Sequence, residues 1–97
     1  AGAAHQSFKF DLAIIGASAI DRDGSVLEFD PIEVELSREA IRQSRKVVLV
    51  AHDGKFGHKA PHVVTQMTDV DVLVTNGDPQ DYFDRDEVID GLEVIRV

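Results

Sequence analysis

Cysteine is absent from the chain, which excludes disulfides and thiolate chemistry and leaves the redox compartment open, a reducing cytoplasm included. Basic residues are few: ten Lys and Arg stand against eighteen Asp and Glu, for a formal charge of −8. Nucleic-acid phosphates are held by Lys and Arg that displace counterions. This balance, with no basic stripe interleaved with aromatics, argues against nucleic-acid binding by this chain. No apolar run is long enough to span a bilayer, and no charged-then-apolar leader stands out. Repeats, low-complexity tracts and interdomain linkers are missing too. The chain is therefore expected to be soluble and intracellular, without a membrane partner. Its 97 residues, 43% of them apolar, make one small domain at most.

The richest stretch is Asp11–Asp30, DLAIIGASAIDRDGSVLEFD. Leu12-Ala13-Ile14-Ile15 is a short apolar run, the pattern of a strand covered on both faces. Gly16-Ala17-Ser18-Ala19 follows, with no bulky side chain to keep another group off the backbone. A second strand is predicted at Lys46–Ala51. It ends in His52-Asp53-Gly54-Lys55-Phe56-Gly57, which puts a cation beside a glycine-rich turn. Open α/β sheets bind ligands outside the carboxyl ends of their strands. Together these two strand ends predict a pocket for a small anionic ligand.

Between them, Asp21-Arg22-Asp23-Gly24 reads as a turn and Ser25–Phe29 as a short extended piece. Asp30-Pro31 opens a helix, with Asp30 as N-cap and Glu33 in the first turn. The helix should run to about Arg45, with Ile32, Leu36, Ala40 and Ile41 on one stripe and Arg38, Arg42 and Arg45 on another. His58–Met67, which contains Pro61 and Val63-Val64, is predicted to be irregular with an edge strand at most. Asp71–Thr75 is a third strand, stopped by Asn76-Gly77. Asp78-Pro79 repeats the helix-start signal and predicts a second helix to about Asp90, ended by Gly91. Leu92–Val97 is a final strand. Residues 1–8, AGAAHQSF, are weakly patterned and suit a cut end as well as a native start. The strand–helix–strand rhythm predicts a three-layer α/β fold with a mostly parallel sheet of about four strands.

Each candidate side chain has a chemical and a structural reading. Gly16, Ala17 and Ser18 could line a ligand through backbone amides and the Ser18 hydroxyl, or simply form a tight corner. Lys55 could set its ammonium on an oxyanion or be a solvated loop lysine. Asp21 could accept a ligand hydroxyl, though organising the turn before Gly24 is favoured. Asp30 and Glu33 lie near Phe29 as ligand carboxylates would, but their helix-start role is favoured. His52, Asp53, His58 and His62 invite a metal reading, yet Pro61 between the last two histidines denies them one helical face. Asp21–Gly24 is no calcium loop, because its glycine comes two positions early and the terminal glutamate is missing. Neither metal nor cofactor is expected. The arginine stripe is read as a solvated helix face rather than an anion or subunit contact.

The order and spacing of several short marks resemble the sensor domain of DeoR-type bacterial transcriptional repressors. They are D-x-A-x-I-G-A-S-x-I-D at Asp11–Asp21, L-E-F-D and the following Glu at Leu27–Glu33, and K-F-G at Lys55–Gly57. The D-V-L-V-T run at Asp71–Thr75 and the closing E-V-I-R-V add to them, so that the resemblance extends from about Phe10 to Val97. It implies a fold like ribose-5-phosphate isomerase and an effector such as glycerol 3-phosphate or another phosphorylated sugar derivative. It also implies ligand contacts from Gly16, Ala17, Ser18, Asp21 and Lys55, the last as in the isomerase relatives. Family members carry an N-terminal helix-turn-helix for operator DNA and a Gly/Thr-rich phosphate loop in the first half of the sensor. Neither is in this sequence, so residues 1–97 are expected to be the C-terminal portion of the effector-sensing domain. His52 and Gly54 stand where an aspartate and a serine are usual.

The same resemblance bears on catalysis. In the isomerase relatives, loop carboxylates, a lysine and a glutamate move a proton between sugar carbons. Ile15 and Ser18 stand at the carboxylate positions, Leu27-Glu28-Phe29 holds no lysine, and Glu39 could match the glutamate without its partners. A sensor is expected, with an active sugar-phosphate isomerase or acyl-CoA transferase-like enzyme as the alternative. Homo-oligomers are also expected, because two-fold proteins match palindromic operators and an open sheet edge invites pairing.

Overall fold

A computed structural model describes residues 9–97, so the reading of AGAAHQSF lies outside the described residues. Four parallel strands form the main sheet: β1 (Phe10–Ile15), β4 (Ser44–Val50), β6 (Val72–Thr75) and β7 (Glu93–Arg96), in the order β1-β4-β6-β7. A smaller antiparallel sheet joins β2 (Ala19–Ile20), β3 (Ser25–Glu28) and β5 (His62–Gln66). One helix, α1 (Pro31–Arg42), connects β3 to β4. The fold is α/β, consistent with the three-layer architecture predicted.

Asp30 caps α1 as its sequence implies, its carboxylate accepting from the Ile32 N–H at 2.9 Å. The helix stops at Arg42, so Arg45 belongs to β4. Val34 is the buried residue of α1, with Ile41 partly buried, whereas Ile32 and Leu36 are exposed. That corrects the predicted stripe. The helix is turned by its packing on β4 and β5 rather than by its most hydrophobic positions. Arg38 donates to the Val63 carbonyl at 2.6 Å and lies 3.8 Å from Glu35, and Arg42 pairs with Glu39. The arginine stripe is thus engaged on its own helix and on β5.

The core lies between the parallel sheet and the layer formed by α1 and the antiparallel strands. Ile20, Leu49, Met67, Leu73 and Val26 are its most deeply buried apolar side chains. Asp71 fixes the start of the β4–β6 pairing: its N–H donates to the Val47 carbonyl and its carboxylate accepts from the Val47 N–H at 2.7 Å. The prediction that the first strand is covered on both faces needs correction. Ala13 and Ile15 are buried, but Leu12 and Ile14 on the opposite face are 46% and 68% exposed. β1 is an edge strand, and among the described residues nothing packs over that face of it.

The second half holds one agreement and one further correction. His62–Gln66 forms the edge strand allowed for within His58–Met67, pairing with β3 directly after Pro61. Residues 78–90 form turns and one short 3-10 turn (Asp86–Val88), not a helix. Tyr82 explains the difference. Its hydroxyl donates to the Ile20 carbonyl at 2.5 Å, and its ring meets Phe56 and Phe83 edge-on, each at 5.1 Å. These anchors, with an Asp84 N–H bond to the Arg22 carbonyl, strap the segment across the β2–β3 turn.

Candidate functional site

Because β1, β4 and β6 are parallel, their carboxyl ends lie along one edge, and the segments leaving them converge. Gly16 follows β1; a methyl group placed on it would stand 4.0 Å from the Val50 carbonyl at the end of β4. Beyond β4, a short 3-10 turn at Asp53–Lys55 leads to Phe56, which forms a single bridge with Ile20 of β2. The Gly57 N–H donates to the Ile20 carbonyl at 3.2 Å. Beyond β6, the Asn76 side-chain carbonyl accepts from the Asp53 N–H at 2.7 Å. Gly77 packs so tightly that an added Cβ would come within 2.9 Å of Asp53 Cβ. The glycine corner and the Lys55 turn therefore lie on the same side of the molecule.

The predicted residues have distinct surroundings there. Ser18 is anchored twice: its N–H donates to the Leu27 carbonyl at 3.0 Å and its hydroxyl to Glu28 at 2.6 Å. Toward a ligand, its oxygen can serve only as an acceptor. Ala17 is half-buried against the core, and Gly16 is open to solvent. Lys55 is exposed, and no ion pair holds it among the described residues. Asp21 takes the turn role through its backbone, accepting from the Gly24 N–H at 3.0 Å, while its carboxylate accepts from the Arg22 N–H at 2.6 Å. Asp23 completes the turn by accepting from the Ser25 N–H at 2.8 Å, and that bond holds its carboxyl below the usual aspartate value. His52 accepts from the Gly54 N–H and lies 3.0 Å from Asp53, closing the 3-10 turn on itself. Among the described residues no three His, Asp or Glu side chains cluster as a metal site would need.

Two concavities mark this side. An open groove of about 400 Å³ is lined by Asp21, Arg22, Leu27, Gly57, His58, Lys59, Ala60 and Tyr82. Its walls include Asp21 but not Gly16, Ala17, Ser18 or Lys55. A shallower, mostly apolar recess of about 350 Å³ lies over the strand ends at Val50–His52, Val74–Asn76 and Val97. Of this lining, sequence reasoning singled out Asp21 and, as a metal candidate, His58, but not Arg22, Lys59 or Tyr82. The signal available for His58 and Lys59 was charge, since Gly54–Thr68 contains no carboxylate but two lysines and two histidines; Arg22 and Tyr82 carried none.

The family model described as the DeoR C-terminal sensor domain matches residues 1–77. The glycerol-3-phosphate regulon repressor of Haemophilus influenzae is 41% identical over 73 residues, covering 75% of this chain and 29% of that protein. Its namesake in Escherichia coli K12 is 43% identical over 72 residues, 74% of this chain and 29% of the relative. The transcriptional repressor AccR of Agrobacterium fabrum is 32% identical over 72 residues, with 73% and 28% covered. This chain thus spans less than a third of the length of these relatives. With most of its length matched by that model, the chain belongs to the DeoR C-terminal sensor domain family.

Proposed function

We propose that this chain is the effector-sensing part of a bacterial transcriptional repressor that responds to a phosphorylated sugar or sugar derivative. In this reading, residues 1–97 are the C-terminal portion of the sensor. The intact protein holds operator DNA through a helix-turn-helix outside this chain, works as a homo-oligomer and resides in the cytoplasm. The observation that carries the reading is the family match to a sensor domain whose three strand-end segments converge on one polar edge. On that edge Lys55 supplies a cation unpaired among the described residues, Gly16 and Ala17 leave backbone accessible, Ser18 offers an acceptor and Asp21 a carboxylate for a hydroxyl. The ligand loosens the protein's hold on DNA only by binding one conformation more tightly than another. The names of the relatives make glycerol 3-phosphate the first compound to try. Among the described residues no helix is long and apolar enough to cross a membrane.

Catalysis has no support. The relatives just named are repressors, and Glu39, the one counterpart of an isomerase carboxylate, is bound by the side chains of Arg42 and Gln43 on an exposed helix face. The test is calorimetry of the intact protein with glycerol 3-phosphate and a panel of sugar phosphates, alongside operator release. One of them should bind and release DNA. Lys55→Ala should weaken it at least tenfold, the scale of a charged hydrogen bond at about 1.5–3 kcal/mol. Unchanged affinity removes Lys55 from the site, and a panel without any binder that releases DNA overturns the function.

A further inference from the structure

We propose that the groove beside the strand ends is an oxyanion site, in which Arg22 and Lys59 hold a phosphomonoester and Asp21 accepts a hydroxyl of the same molecule. Its hydroxyl half rests on the sensor reading above; its oxyanion half does not.

Topology supplies the first reason. Two walls of the groove, Gly57–Ala60 and Tyr82, belong to the segments that follow β4 and β6, and the third is the β2–β3 turn at Asp21–Arg22 with Leu27 of β3. Crevices at that end of an α/β sheet are where small ligands bind. Charge supplies the second. In a chain of net charge −8, these walls carry Arg22, Lys59 and His58 against the single carboxylate of Asp21. Among the described residues no ion pair neutralises Arg22 or Lys59.

Arg22 is also preorganised. One guanidinium nitrogen donates to the Tyr82 carbonyl at 3.2 Å, and the guanidinium carbon stands 5.2 Å from the centre of the Tyr82 ring. Stacking and one hydrogen bond orient the fork while most of its donors stay unspent, the arrangement that suits a planar cation to phosphate oxygens. Lys59, also in the lining, adds a compact point charge. Gly57 keeps its wall low: its φ of +89° favours glycine, and no heavy atom lies within 4 Å of where a Cβ would stand. At about 400 Å³ the space falls within the ~300–1,000 Å³ typical of small-molecule sites. Cations around one carboxylate suit a molecule with a phosphate at one end and hydroxyls at the other.

The experiment is a backbone amide NMR titration of the intact protein with inorganic phosphate, glycerol 3-phosphate and glycerol. Phosphate and glycerol 3-phosphate should move the Gly57, Lys59 and Tyr82 amides saturably, and glycerol should not. Lys59→Gln should weaken both anions about tenfold, Lys59→Arg should restore them, and Arg22→Gln should match Lys59→Gln. Lys59 is exposed, and among the described residues its side chain makes no hydrogen bond or ion pair, so its variants isolate binding from folding. Asp21→Asn should lower the ratio of glycerol 3-phosphate to phosphate affinity, and an unchanged ratio overturns the hydroxyl half. No saturable shift at these amides, or equal anion affinity in Lys59→Gln and wild type, overturns the site, even where sugar-phosphate sensing through Lys55 holds. Phosphate binding that needs Arg22 and Lys59, with no phosphorylated compound releasing operator DNA, upholds the oxyanion site and ends the sensor reading.

Discussion

Tyr82 joins three parts of the molecule that are far apart in sequence, and two substitutions separate its contributions. Tyr82→Phe deletes only the hydroxyl and its 2.5 Å bond to the Ile20 carbonyl. That carbonyl keeps a partner, because the Gly57 N–H also donates to it at 3.2 Å. No orphaned group adds to the cost, so the loss is that of one ordinary hydrogen bond, about 1 kcal/mol. Hydrogen exchange of the Gly57 amide in the intact protein should then quicken about fivefold relative to the β4 amides. Tyr82→Ala also removes the edge-on contacts with Phe56 and Phe83 and the guanidinium stacking of Arg22. Ring contacts of this kind contribute about 0.5–1.5 kcal/mol each, which brings the total to about 3 kcal/mol and the effect above a hundredfold. Alkali gives an independent check. Burial raises the phenol above its ordinary value of 10, with the Asp21 charge adding to the rise and a backbone hydrogen bond opposing it. The fold therefore keeps a proton that the unfolded chain releases, and stability falls as the pH climbs through 10 toward the raised value. Tyr82→Phe should lack that fall. Wild-type exchange at Gly57 in Tyr82→Phe, with the alkaline fall intact, refutes the claim that the hydroxyl pins the strap.

Two shorter expectations concern the β2–β3 turn. Gly24 has a φ of +94°, and a Cβ on it would come within 2.9 Å of Val88 Cγ1, a buried side chain with little room to yield. Gly24→Ala should cost about 2–4 kcal/mol, combining left-handed strain with overpacking; an unchanged urea midpoint for the intact protein shows that the turn relaxes instead. Asp23 titrates low because its carboxylate accepts from the Ser25 N–H. Its stabilising effect is present above the ordinary value of 3.8 and is lost as the pH falls through that value toward the lowered one. The Ser25 amide shift should report this titration, and Asp23→Asn should remove it.

The parallel sheet was legible because its apolar runs are short and bounded by turn signals, and Asp30-Pro31 starts a helix in both readings. What stayed hidden depended on partners distant in sequence. Along α1, Ile32 and Leu36 make as good an apolar stripe as Val34 and Ile41, and periodicity cannot say which of two stripes faces inward. Packing on β4 and β5 chose Val34. At Asp78-Pro79 the local start signal is real, since the Asp78 carboxylate accepts from the Gln80 N–H at 3.3 Å. The helix does not follow, because Tyr82 and Phe83 both turn into one aromatic cluster and the closely spaced Asp81, Asp84 and Asp86 favour turns. Tertiary anchoring outweighed a helix propensity worth only tenths of a kcal/mol per residue.

The site divides along the same line. Gly16–Asp21 and Lys55–Gly57 could each be found alone, since each leaves a strand, and the Ile20–Phe56 bridge brings them to one side. The groove could not, because Arg22, Lys59 and Tyr82 meet only through contacts such as the Tyr82–Ile20 bond, 62 residues apart in sequence. Net charge misleads here as well. A balance of −8 weighs against a polyanion, which must neutralise many phosphates at once, but a single phosphate samples only its surroundings. At physiological ionic strength fields between exposed charges fade over about 8 Å, whereas the molecule extends 44 Å along its longest axis. Two cations with no ion pair among the described residues can therefore set the local potential of one groove in an acidic protein, as the oxyanion site proposed above requires.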